Sequence, residues 1–240
     1  MGPGRLALVA AGLLACTLAL AAPPRNPGLA FDCPARANAL VEHFIGADCL
    51  DCWQAVPPAA GAAPVGADEW SMDWIAPAAA DAPMAPGALP EAAERLARVG
   101  AGLPATLARP PAAFDATTVL ATPAAKRRFY VHSSLPHNGY MGVQMHATGT
   151  WPAGSTGWVA LVERIEPGVR GTRIPRRLVR VLAGPLALPA GPGARNAVAP
   201  LYGLRWPENA HAENLVATAW VEDAGGRIIQ IATDRCADPK

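Results

Sequence analysis

Short apolar stretches broken by glycine and proline run through this chain, and one segment carries the clear three-to-four-residue apolar spacing of a helix. Ala39-Leu-Val-Glu-His-Phe-Ile45 is nearly apolar and stops at Gly46, which predicts a strand. Cys49 to Val56 fits one or two helical turns, which Pro57-Pro58 ends because proline has no amide proton to continue them. Residues 57 to 68 read as a loop, and Trp70 to Ile75 alternates as a second strand ending before Pro77. The clear helix spans Pro90 to Val99. Pro90 suits its first position, Glu91 and Glu94 its opening turns, Arg95 and Arg98 its closing turns, and Gly100 stops it. Ala92, Leu96 and Val99 fall on one face, which predicts packing against a sheet.

A proline-rich stretch from Pro104 to Ala125 follows, and beyond it the pattern changes to strands separated by turn residues. The expected strands are Arg128 to Ser133, Tyr140 to Ala147, Trp158 to Ile165, Leu178 to Leu182, Leu201 to Trp206, Leu215 to Val221 and Arg227 to Thr233. Glu222-Asp-Ala-Gly-Gly226 reads as the turn of a terminal hairpin, since adjacent glycines accept the positive φ of a tight reversal. This spacing predicts an antiparallel β-sandwich over residues 126–240, with a boundary near residue 125.

The first residues change the picture from a cytosolic to an exported chain. Arg5 precedes an apolar run from Leu6 to Ala22, and Ala19-Leu-Ala21 supplies the small, apolar, small pattern of signal peptidase, so residues 1–21 read as a signal peptide. An uncleaved anchor is disfavoured because the run is at the short limit for a bilayer span and lacks basic residues close behind it. A lipidated Cys16 is disfavoured because the apolar run continues beyond it. The expected location is periplasmic or secreted, with no stable membrane span after cleavage. A formal charge of +1 gives no reason to expect nucleic acid, and the basic residues concentrated from Arg164 to Arg180 read as a solvated face. Seven tryptophans and a hydrophobic content of 51% argue for a folded core despite the abundance of alanine, glycine and proline.

The strand running into Cys49-Leu-Asp-Cys52, then Trp70 to Ile75, resembles a family of secreted bacterial proteins of uncharacterised function built on an N-terminal thioredoxin-like domain. Gly139-Tyr-Met-Gly-Val143, Trp158-Val-Ala-Leu-Val-Glu163, Arg176-Arg-Leu-Val-Arg180 and Trp220-Val-Glu-Asp223 look like segments of that family's second, β-rich domain. The resemblance implies an α+β chain, a small thioredoxin-like α/β domain over residues 22–125 followed by the sandwich. Departures from thioredoxins are visible: Pro57 cuts the helix short, Trp53 follows the pair instead of preceding it, and Leu103-Pro-Ala-Thr106 is only a loose counterpart of the loop that faces the thiols.

Without the leader, Cys33, Cys49, Cys52 and Cys236 remain, an even number suited to an oxidising compartment. Three connectivities are possible, and the three-residue step from Cys49 to Cys52 favours the local pair, leaving Cys33 with Cys236 as a structural bridge. Cys49 at the first turn of a helix would gain thiolate character, whereas Asp48 and Asp51 would oppose it. The expected chemistry is thiol–disulfide exchange with other exported proteins, Cys49 attacking and Cys52 resolving. His43 is expected on the outer face of its strand, with proton transfer at the pair as its rival role. The competing expectation is a non-catalytic binding or scaffolding module with structural disulfides, resting on the tryptophan-rich β part. Trp151, Trp158, Trp206 and Trp220 are nonetheless expected in the core.

No cofactor is implied. Zinc at Cys49 and Cys52 lacks a second ligand pair at the right spacing. Copper is suggested by His132, His137, His146, Met141 and Met145, but Met141, Val143 and Met145 fall on one face of a strand, as core residues do. Gly154-Ser-Thr-Gly157 lacks the spacing of a nucleophile elbow and reads as a turn.

Overall fold

The computed structural model describes residues 37, 39–54, 69–99, 113–120, 127–188 and 201–234. The signal peptide, Cys16, Cys33, Cys236 and Pro104 lie outside them. Ten strands and two α-helices occur among the described residues. They are β1 (Ala39–Gly46), α1 (Leu50–Gln54), β2 (Glu69–Ala76), α2 (Pro90–Val99), β3 (Ala113–Val119), β4 (Arg128–Ser133), β5 (Tyr140–Thr148), β6 (Thr156–Ile165), β7 (Arg176–Ala187), β8 (Leu201–Arg205), β9 (Leu215–Glu222) and β10 (Ile228–Thr233).

Seven strands form one mixed sheet in the order β10-β9-β6-β7-β2-β1-β3, and β4, β5 and β8 form a second sheet of three. This overturns the expected α/β thioredoxin-like domain. The chain is mostly β, and the large sheet takes strands from both sides of position 125. Strand β1 runs parallel to β2 and antiparallel to β3. The join between the early and late parts is a parallel contact of β2 with β7 at Asp73 and Leu178. Alternation of apolar and polar residues identifies a strand but carries no record of its partner, so a pairing across a hundred residues is invisible in the pattern. Strand β3 is a second correction. Ala113 to Val119 sits in the proline-rich stretch read as loop, yet Phe114 pairs with Phe44 and Asp115 with His43.

The large sheet buries both faces, each in a different way. On one face α2 lays Ala92 and Leu96 on Leu40, Phe44, Trp74 and Trp220, as its apolar stripe predicts. Arg95 sinks into the same layer, where it pairs with Glu42 at 2.7 Å and Glu222 at 3.0 Å. Indole N–H groups of Trp74 and Trp220 donate to those two carboxylates, so each buried charge has partners. On the other face, β6 and β9 receive the small sheet, with Met141, Val143 and Met145 of β5 against Leu161, Ala217 and Ala219. The two sheets approach closely at Gly157, where a Cβ would stand 2.6 Å from Met145 Cε. Farther along the same face, Ile45, Trp53, Ile75, Met84, Ile165 and Leu178 form a third apolar cluster beneath α1 and the segment before α2.

Candidate functional site

The third cluster carries the cysteine pair. Strand β1 ends at Gly46, whose carbonyl accepts the Cys49 N–H at 2.9 Å, and the chain turns at once into α1. Cys49 and Cys52 are bridged, with their Cα atoms 5.3 Å apart. Both are half-buried, while Asp48, Leu50 and Asp51 are exposed around them. The local pairing therefore stands, and the fate of Cys33 and Cys236 lies outside the described residues. Helix α1 has five residues, so only a few aligned peptides contribute to the field at Cys49. The carboxylates of Asp48 and Asp51 oppose a thiolate on the exposed side.

What holds this turn is an arginine from the run expected to form a solvated face. Arg176, at the start of β7 and fully buried, donates to the carbonyls of Cys52 at 2.9 Å and Trp53 at 2.8 Å. Its other terminal nitrogen pairs with Asp73 of β2 at 2.9 Å, and its guanidinium lies 5.3 Å from the centre of the Trp53 ring. Asp73 also accepts the backbone N–H of Arg177 at 2.6 Å. Trp53 is buried, and its indole N–H donates to the Arg170 carbonyl at 2.9 Å. Arg170 takes up a left-handed backbone, φ 52° and ψ 29°, and its guanidinium turns to Glu163 at 2.9 Å. The loop closes further on α1 where Arg173 N–H donates to the Gln54 carbonyl at 3.2 Å.

Next to Asp73 in the sheet stands His43, whose Nδ1 is 2.8 Å from Asp115 of β3. Burial pulls the His43 pKa down, but the hydrogen bond with Asp115 and the charges of Asp73 and Asp115 outweigh it, against an opposing Arg176; the net shift is upward. His43 is thus half-buried in a row of charges rather than facing water on an outer surface. The run from Arg164 to Arg180 also differs from the expected solvated face. Arg176 pairs with Asp73, Arg180 approaches Glu163 at 3.4 Å, and both arginines are buried. A charge flanked by apolar residues in a strand, Asp73 between Met72 and Trp74, was the available signal for the first of these pairs.

The copper set is split by the small sheet. Met141 and Met145 are fully buried in the core, whereas Tyr130, His132 and His146 group on the opposite, outward face, with Tyr130 and His146 stacked at 4.4 Å. Among the described residues no three His, Cys, Asp or Glu side chains gather as metal ligands. Trp151 and Trp220 are buried as expected, while Trp158 and Trp206 are half-buried.

Fold and site together define a two-sheet β protein with a bridged cysteine turn at the end of β1, the strand next to one edge of the large sheet. No helix among the described residues is long and apolar enough to cross a membrane. No family model matches the chain, and no curated protein sequence does. Among solved structures, it is similar to HBP35 of Porphyromonas gingivalis, with a TM-score of 0.50 over 85% of this chain and 77% of that one, at 9% identity. At that identity the likeness concerns the fold alone.

Proposed function

We propose that this chain is an exported protein that exchanges disulfides with other exported proteins through Cys49 and Cys52. The observation that carries the reading is the hold on the turn, which does not depend on the bridge. Arg176 grips the carbonyls of Cys52 and Trp53, Trp53 is buried, and Cys49 N–H is tied to Gly46, so reduction leaves both thiols within reach of each other. The bridge itself does little as a brace. Closing so short a loop stabilises by only about 2 kcal/mol in the loop-entropy model, well below what a bridge across a long loop supplies. Export is supported by the apolar leader with its Ala19-Leu-Ala21 cleavage pattern.

A thiolate of a partner dithiol attacks one sulfur of the bridge, forming a mixed disulfide and expelling the other cysteine as thiolate. The partner's second thiolate then displaces the first cysteine, so two electrons pass from the partner to the pair, and the two protons lost by the partner's thiols are taken up by Cys49 and Cys52. In the reverse direction Cys49 attacks and Cys52 resolves. Asp48 and Asp51 disfavour the thiolates, which places the couple on the weakly oxidising side. The test is redox equilibration against glutathione together with an insulin-reduction assay. A potential above about −300 mV with measurable turnover is expected. A lower potential with no turnover would leave a structural clip in a binding module.

A further inference from the structure

A cavity of about 370 Å³ opens where the segment before α2 meets β7 and the turn after β8. Its walls are largely apolar, with Pro86, Leu89, Val181, Trp206 and Pro207, and one buried cation, Arg180, belongs to them. That guanidinium is only partly satisfied. Nη2 donates to Asn209 Oδ1, but Nε has no hydrogen bond and stands 3.4 Å from Glu163 Oε2. Nη1 has no partner among the described residues. It lies 3.5 Å from where a Cβ of Gly87, another wall residue, would be, which sets Nη1 beside that wall.

Charge around Arg180 is also out of balance. The one buried carboxylate, Glu163, is shared with Arg170 and accepts the His211 N–H as well. Burial lowers the pKa of Arg180, Glu163 offsets this in part, and Arg170 adds to it. Arg180 Nε and Glu163 Oε2 both lack a hydrogen bond, and a buried cation paired so loosely gains from a closer negative partner more than an exposed one does, because water no longer screens the pair. At the rim Arg205 adds positive charge and Glu208 negative charge, both exposed.

The geometry points to this cavity as a binding site for a small amphiphilic carboxylate, its carboxylate on Arg180 Nη1 and its apolar body against Trp206 and Leu89. The volume matches a dozen or so water molecules at about 30 Å³ each, which suits a one-ring or short-chain acid. A phosphate dianion fits less well, since a single guanidinium edge is free and most of the remaining wall is apolar. The site is independent of the cysteine chemistry.

The test is calorimetric titration of the purified, bridged protein with 3-phenylpropionate, its neutral amide and inorganic phosphate. Saturable binding of the acid is expected, with the amide and phosphate each at least tenfold weaker. Arg180→Gln should abolish acid binding. Pro207→Trp, which adds bulk at a half-buried wall position outside the apolar clusters and the ion pairs, should abolish it too with the melting temperature retained, and this variant decides should Arg180→Gln fail to fold. Equal affinity for acid and amide, phosphate binding as tight as the acid, no acid binding at millimolar concentration, or binding that survives Pro207→Trp would each overturn the assignment.

Discussion

Replacing Arg176 with methionine keeps the length of the side chain and removes its charge. The loss has separable parts in the structure. Asp73, 2% exposed, would keep only the Arg177 N–H as a donor, and the carbonyls of Cys52 and Trp53 would lose theirs. Removing one partner of a buried ion pair costs about 3 to 5 kcal/mol, chiefly because the remaining charge is stranded. Replacing both partners removes the stranded charge, so Asp73→Leu with Arg176→Met should regain about half of that loss, the orphaned carbonyls accounting for the remainder. Urea unfolding followed by tryptophan fluorescence, with linear extrapolation for each variant, measures both numbers. A single variant within about 1 kcal/mol of the parent, or a double variant no more stable than the single, would refute the claim that this pair anchors the turn.

Other outcomes follow from the same physical terms. Cys49→Ser with Cys52→Ser should cost about 2 kcal/mol in urea unfolding and leave the fold intact, whereas a loss above about 4 would make the bridge a brace and weaken the exchange reading. His43 has a raised folded pKa, so the stability its protonated form contributes is fully present below its unfolded pKa and fades as pH rises through the folded value. The stability gap between parent and His43→Gln should therefore shrink as pH rises through neutrality, and a gap that widens with pH would contradict this. Met145→Ala, at the fully buried junction of the two sheets, should cost about 2 to 5 kcal/mol by calorimetry or urea.

The elements with strong local signals were legible in the sequence. Helix α2 begins at Pro90 and ends at Val99 because proline, the acidic opening turn and Gly100 all act within a few residues. Strands β1, β2, β5 and β9 follow from apolar runs bounded by turn residues. What stayed hidden depends on residues far apart in the chain. Strand β3 has Ala, Asp and Thr in place of a strong apolar run, and it becomes a strand because β1 offers an edge to pair with. The cysteine turn was visible, but its anchor was not, since Arg176 and Cys52 are 124 residues apart. Likewise the arginine-rich segment reads as surface until Asp73 and Glu163 are brought to it by neighbouring strands.

Arg170 has a consequence of its own. A non-glycine residue in the left-handed region costs on the order of 1 kcal/mol or more, so a glycine there would relax the chain. Arginine persists in that posture while its carbonyl serves Trp53 and its guanidinium serves Glu163. One left-handed loop residue thus touches the cysteine turn through its carbonyl and the carboxylate behind the cavity through its guanidinium. Glycine at this position would relax the backbone and keep the carbonyl, but it would leave Glu163 with Arg180 as its sole arginine among those described.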